Sequence, residues 1–284
     1  MSEFTILSPA KVNLNLRVKG KRPDGLHSIE SVVQPVGIFD EVSVRTLKSP
    51  GVAVHCGPEC GPGEQNTAFI AANLFFLKSG AGGGAEIILK KSIPAGAGLG
   101  GASGNAAAVL SALNRAFGVF SDDELRFMGS EVGSDVPLFF GRGACRISDT
   151  GGTVETLGQF PPLHYVVCFP GFECSTAEVY GRWDETRPAP EAKAEMWDIN
   201  FPLEAGNDLE RAAVSLRSGL GEFRSLLEER GGARFRMTGS GSAFFSVFDT
   251  ASAARAVYER VRGASRAGKF FLTASVEGLR GPAL

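Results

Sequence analysis

The segment Pro94-Ala-Gly-Ala-Gly-Leu-Gly-Gly-Ala-Ser-Gly104 sets Gly96, Gly98, Gly100, Gly101 and Gly104 within nine residues. It lies between a short apolar run at 86–90, centred on Ile87 and Ile88, and a small-residue stretch at 105–117. The first reads as a strand and the second as a helix. Glycines at such a turn let the backbone adopt left-handed conformations and come very close to another group. Their N–H groups, with the start of a helix behind them, form a cradle for an anion such as phosphate. A plain connector is the bland reading, but a connector has no need of this glycine density. Gly96, Gly98 and Gly101 also match Gly-x-Gly-x-x-Gly. A dinucleotide fold, however, places an acidic residue ~20 positions on, after a strand. Asp122 and Asp123 have that spacing but fall at a helix start. No Gly-x4-Gly-Lys-[Ser/Thr] occurs, which excludes a P-loop. The loop therefore points to phosphate binding of another kind.

Around this loop the periodicity predicts strands at 4–7, 12–18, 41–47, 165–169, 234–237, 243–248 and 270–276. Helices are expected at 67–78, 208–217, 223–230 and 252–262, with Phe69, Ala72, Leu74 and Phe76 as the apolar face of the first. Ser121-Asp-Asp-Glu124 is a capping box that opens a further helix reaching about Val132. Residues 52–60 read as turns, and 183–202 as an exposed connection. Helices and strands mix without strict alternation, so the class is α+β. The 284-residue length suits two domains of ~100–200 residues each, with 1–156 and 157–284 as the expected division. A net charge of −2 gives no broad basic footprint for nucleic acid. No apolar run approaches the ~18 residues of a membrane span, and Met1-Ser2-Glu3-Phe4 lacks the features of a signal peptide. Five scattered cysteines are unlike a disulfide scaffold. A cytoplasmic chain with no nucleic-acid or membrane partner is expected; oligomeric state is not readable.

Three other segments carry chemistry. In Gly133-Ser-Asp-Val-Pro137, Asp135 borders an apolar run; it is either a backbone-capping turn residue or a general base for an alcohol. In Ser8-Pro-Ala-Lys-Val-Asn-Leu-Asn15, Lys11, Asn13 and Asn15 alternate and so share one strand face. That pattern suits plain solvent exposure, or a lysine that steadies an alkoxide beside an aspartate. Met237-Thr-Gly-Ser-Gly-Ser-Ala243 is a hairpin turn or a second backbone wall. His55-Cys56-x3-Cys60 offers half of a zinc spacing with no second pair, and His164 reads as packing. No Gly-x-Ser-x-Gly elbow is present.

Taken in order, Pro-Ala-Lys-Val-Asn-Leu, Pro-x-Gly-Ala-Gly-Leu-Gly-Gly-x-Ser-x-Asn-Ala-Ala, Gly-Ser-Asp-Val-Pro and Thr-Gly-Ser-Gly-Ser resemble the GHMP small-molecule kinases over essentially the whole chain. Arg22-Pro-Asp-Gly-Leu-His-Ser28 and Gly100-Gly-Ala-Ser103, with Pro170-Gly171 and Gly206-Asn-Asp-Leu209, are most similar to the branch acting on 4-diphosphocytidyl-2-C-methyl-D-erythritol. The resemblance implies a two-domain fold with the active site in the cleft between domains. It implies ATP and Mg2+ as cofactors, and a small-molecule substrate with a cytidine diphosphate moiety phosphorylated at its C2 hydroxyl in non-mevalonate isoprenoid biosynthesis. It implies Asp135 as general base and Lys11 as its partner. Pro94, Ala95, Gly96, Ala97, Gly98, Leu99, Gly100, Gly101, Ala102, Ser103 and Gly104 would wrap the phosphates, with Asn66 and Lys91 on the nucleotide side. His27 would meet the cytosine edge, Tyr180 its face, Asn13 and Asn15 the methylerythritol end, and Thr238 and Gly239 the floor. Leu26 stands where the branch has a stacking tyrosine, and Gly104 where it has a serine. Metal ligands are not readable, since Ala102 replaces a serine of other branches. Two alternatives stand beside this one: a relative acting on another alcohol, such as a sugar or a mevalonate-like acid, and a non-catalytic nucleotide binder.

Overall fold

A computed structural model of the chain describes residues 2–57, 60, 63–157, 161–186 and 206–282. Seven strands build the first sheet: β1 (Glu3–Asn13), β2 (Arg17–Lys21), β3 (His27–Leu47), β4 (Gly51–His55), β5 (Gly84–Lys90), β6 (Cys145–Asp149) and β7 (Thr153–Thr156). Strand β3, 21 residues long, is its spine. Its second half pairs with β5, its first half with β2 and β6, and β1 runs antiparallel along it from Glu3↔Arg45 to Asn13↔Val33. The second sheet has the order β11-β8-β10-β9, from β8 (His164–Phe169), β9 (Arg236–Met237), β10 (Phe244–Phe248) and β11 (Lys269–Ala274).

Helices α1 (Thr67–Ser79), α2 (Gly101–Phe117) and α3 (Asp122–Val132) cover the first sheet. Helices α4 (Thr176–Thr186), α5 (Glu210–Leu216), α6 (Ser218–Gly231) and α7 (Ala251–Val261) cover the second. The two sheets then meet face to face. On β8, Val166 and Cys168 join the helix-side core while Tyr165, Val167 and Phe169 join a third core with Ala10 and Val12 of β1 and Val32 and Val36 of β3. Both faces of β8 are thus buried, which is why Tyr165–Phe169 is an unbroken apolar run instead of an alternating one. Residues past β11 return to the first sheet, where Leu7 and Arg280 exchange backbone hydrogen bonds.

Several expectations are corrected. The helix after the glycine loop starts at Gly101, four residues early, because Gly100 in the left-handed region (φ 71°) already ends the loop. The 12–18 strand is broken after Asn13, where Leu16 leaves to bond Gly206 and Asp208. Within 52–60, β4 runs parallel to β5 and packs Val52 and Val54 on the first core; residues 58 and 59 lie outside the described residues. Helix α1 buries Ala68, Ala71, Ala72 and Phe75, an i, i+3, i+4, i+7 stripe; of the expected face Ala72 is fully buried, and Leu74 and Phe76 pack half-buried against the same core. Residues 183–186 close α4, and 187–202 lie outside the described residues. Cys56 and Cys60 form a disulfide, so the sparse cysteines hide one pair and neither thiolate is left for a metal.

Candidate active site

Two cavities share a wall at the glycine loop. One, about 320 Å³, is lined by Asn66, Lys91 and the loop from Pro94 to Ser103. The other, about 750 Å³, is lined by Lys11, Asn13 and Asp135 from the first half of the chain, and by Tyr180, Asp184 and Gly239 from the second. Gly98, Gly100 and Ser103 border both. A group passed from one cavity to the other crosses at these three residues.

The loop's peptide groups are sorted by polarity. Its carbonyls face protein: Gly96 O accepts from Cys174 N–H (3.3 Å), Ala97 O from Ala243 N–H (3.1 Å) and Leu99 O from Lys11 N–H (2.9 Å). Gly98 O accepts from the Thr238 hydroxyl (3.3 Å). The opposite ends of the dipoles are left for the cavity, and Gly101, Ala102 and Ser103 at the start of α2 have no intrahelical acceptor for their N–H groups. The result is a preformed anion cradle at the positive end of a 17-residue helix. A side chain cannot enter it: a Cβ on Gly98 (φ 72°) would stand 2.2 Å from the Thr238 carbonyl oxygen. The approach to the loop is fixed by Lys91, whose ammonium pairs with the fully buried Asp40; that carboxylate also accepts from the N–H groups of Ser92 (2.7 Å) and Ile93 (2.9 Å). Asn66 caps α1 by accepting from Ala68 N–H (2.9 Å).

Across the shared wall, Lys11 runs beneath Gly100. Its Nζ donates to Asn13 Oδ1 at 2.7 Å and lies 3.4 Å from Asp135 Oδ2. Lys11 is 5% exposed and Asp135 32%, so the ammonium is enclosed and the carboxylate faces the cavity. Asp135 is aimed by the turn after α3, closed by Val136 N–H to Gly133 O, and by the buried Pro137–Phe140 turn that follows. Cys145, behind it on β6, is not a competing nucleophile: burial, then the Asp135 charge, push its thiol up to about 12.

At the far end of the same cavity His27 stacks on Tyr180, ring centres 4.6 Å apart, and Trp183 meets its edge at 5.8 Å. Its Nε2 is 2.7 Å from Asp184 Oδ1, and Lys21 Nζ is 2.7 Å from Asp184 Oδ2. The hydrogen bond from His27, then that from Lys21, hold the Asp184 carboxyl below its usual range. Leu26 is half exposed at the rim.

Three residues singled out from sequence are not cavity-lining. Asn15 turns inward, where Oδ1 accepts from Val32 N–H at 2.7 Å. Thr238 is fully buried and links the halves, accepting from Asn13 N–H at 3.0 Å. Gly104 faces β1, where a Cβ would meet Ser8 Oγ at 2.4 Å, so a serine there would not reach the cradle. Sequence reading missed Lys21 and Asp184, which carry no motif. It also left Asn207 without a role. The Asn207 side-chain amide donates to the carbonyls of Met237 (2.9 Å) and Gly239 (2.7 Å), holding the floor loop in place.

Family models described as "GHMP kinases N terminal domain" and "GHMP kinases C terminal" match residues 66–143 and 192–266. The chain is 36% identical to the 4-diphosphocytidyl-2-C-methyl-D-erythritol kinase of Citrifermentans bemidjiense, over 90% of this chain and 93% of that protein. It is 37% identical to the enzyme of the same name from Pelotomaculum thermopropionicum, over 91% of this chain and 94% of that one. The chain belongs to the GHMP kinases. A crystal structure of 4-(cytidine 5'-diphospho)-2C-methyl-D-erythritol kinase superposes with a TM-score of 0.80 at 33% identity, covering 98% of this chain and all of that one. A GHMP kinase uses ATP, and the cradle fits a polyphosphate: its N–H groups have no acceptor among the described residues, its carbonyls are engaged elsewhere, and its glycines leave room. Among the described residues no helix is long and apolar enough to cross a membrane.

Proposed function

We propose that this GHMP kinase, with 1–156 and 157–284 as its two halves, phosphorylates the C2 hydroxyl of 4-diphosphocytidyl-2-C-methyl-D-erythritol in non-mevalonate isoprenoid biosynthesis. The carrying observation is the Lys11–Asp135 pair, 3.4 Å apart, on the acceptor side of the wall formed by Gly98, Gly100 and Ser103. ATP with Mg2+ supplies the γ-phosphoryl group when bound. Ser103 and Asp135, which line the acceptor cavity beside the shared wall, would be the nearby oxygen donors for Mg2+ carried on the phosphates.

Asp135 accepts the proton of the acceptor hydroxyl. Lys11, kept in place by Asn13, sets positive charge beside the oxygen that loses it. The cradle N–H groups and the start of α2 hold the phosphate charge, and the enclosing cavity aligns donor and acceptor, which is most of what phosphoryl transfer asks of a protein. The His27–Tyr180 end receives the cytidine.

The test is ADP release with ATP, Mg2+ and the cytidine substrate, beside a reaction without substrate. Substrate-dependent release is expected, and Asp135→Asn should lower kcat by about 10²-fold or more while ATP binding persists. Near-normal kcat in Asp135→Asn would remove the base assignment. Absence of release by the parent, with ATP bound, would reassign the acceptor.

A further inference from the structure

The cluster at the far end of the acceptor cavity does no work in the transfer step, yet it is built with care. His27 is only 8% exposed at its side chain, wedged between the Tyr180 face and the Trp183 edge. Its Nε2 is tied to Asp184, and the second oxygen of Asp184 is tied to Lys21. The ring therefore has no room to turn over. Nδ1 has no hydrogen-bond partner among the described residues and is not sealed off, and His27 is one of the residues that line the cavity.

A carboxylate can only accept hydrogen bonds, so a neutral imidazole facing it carries its proton on Nε2. Nδ1 is then left with a lone pair. Lys21 engages the second oxygen of that carboxylate from the other side. A fixed lone pair accepts from an amine and repels a carbonyl. The two common pyrimidines differ at two places on the edge: cytosine has an amino donor at C4 and a bare N3, where uracil has a carbonyl at C4 and an N3–H, so a lone pair favours cytosine when it stands opposite the C4 substituent.

We propose that Asp184 is a specificity-determining positioning residue. Acting through His27, it makes the cavity accept an amino-bearing pyrimidine and refuse its oxo counterpart. Both oxygens of Asp184 are already engaged, one by His27 and the other by Lys21. The inference rests on the functional reading above for the presence of a pyrimidine nucleotide. Leu26 strengthens it, because an aliphatic rim residue offers no ring stacking and leaves edge readout to decide between bases.

Two measurements on the full chain test this. The first is the 15N spectrum of histidine-labelled protein at neutral pH; the three histidines are His27, His55 and His164, and substitution of the latter two assigns the signals. His27 is expected with a protonated Nε2 and a bare Nδ1; an Nδ1–H tautomer or a doubly protonated ring overturns the proposal. The second is calorimetric binding of CDP against UDP. The parent should favour CDP by about tenfold or more, and Asp184→Asn should lose most of that preference while Asp184→Glu keeps it. In the kinase assay Asp184→Asn should raise KM about tenfold with kcat within about twofold of the parent. Equal weakening of both nucleotides, an unchanged preference, or a parent indifferent to the base overturns it. Should Asp184→Asn fail to fold, the parent's tautomer still decides. A CDP preference without turnover would remove the reaction and keep the base reader; turnover with a flat preference would do the reverse.

Discussion

A Cβ at Gly104 would stand 2.4 Å from Ser8 Oγ, a hydroxyl that is itself buried and has no hydrogen-bond partner among the described residues. Helix α2 and β1 are pressed together there with no spare volume. Gly104→Ala should therefore cost about 1–3 kcal/mol by overpacking. Ser8→Ala should be neutral or mildly stabilising, since it deletes an unsatisfied polar atom, and the double variant should recover part of the Gly104→Ala loss. Urea midpoints across this cycle measure the coupling; strict additivity would contradict the contact. The same position shows what sequence can hold. That Gly98, Gly100, Lys11 and Asp135 line the cavities was legible because residue types in a fixed order mark them. Gly104, Asn15 and Thr238 were placed in the right neighbourhood but facing the wrong way, because direction depends on which distant strand lies against them. Asp184 was illegible: an aspartate in a charged helix acquires meaning only when His27 arrives from 157 residues away.

At the scale of elements, α3 has its start set by a reciprocal cap. Ser121 Oγ accepts from Glu124 N–H, and Glu124 Oε2 accepts from Ser121 N–H at 2.8 Å. Helix α3 also delivers the turn that aims Asp135. Ser121→Ala should cost about 1 kcal/mol, read as a fall in the urea midpoint. The Ser121 backbone N–H, then its hydroxyl, hold the Glu124 carboxyl below its usual value of 4.5. Its contribution is thus complete above pH 4.5 and is lost as pH falls through the lower folded-state value, so the Ser121→Ala deficit should shrink on acidification. Capped helices such as this one were readable because Ser-x-x-Glu is a local signal. Strand β4 was not, since it is short, bounded by glycines, and defined by parallel pairing to a β5 that follows 29 residues later. The apolar stripe of α1 was legible only in part, since Ala72 is buried as expected but Phe69, Leu74, Phe76 and Leu77 crowd the helix, and only packing selects Phe75 over Phe76.

For the whole molecule, the decisive feature is the third core between the sheets. Tyr165 sits in it fully buried, against Phe245 at 6.4 Å, with no partner for its hydroxyl among the described residues. Tyr165→Phe should raise stability by about 1 kcal/mol without changing kcat, visible as a higher Tm; a fall in Tm would mean the hydroxyl is doing something the contacts do not record. The four-layer arrangement itself was not legible: an α+β class follows from mixed periodicities, but which sheet faces meet depends on both sides of β8 and β10 being apolar at once. One feature of that arrangement bears on how the protein is made. The carbonyls of the glycine loop are held by Lys11, Cys174, Thr238 and Ala243, spread over more than 230 residues of chain. A nascent chain on the ribosome has the loop in hand long before it has Thr238 and Ala243. Nucleotide binding is therefore acquired near the end of synthesis, and a growing chain that stalls earlier carries every glycine of the cradle without its shape.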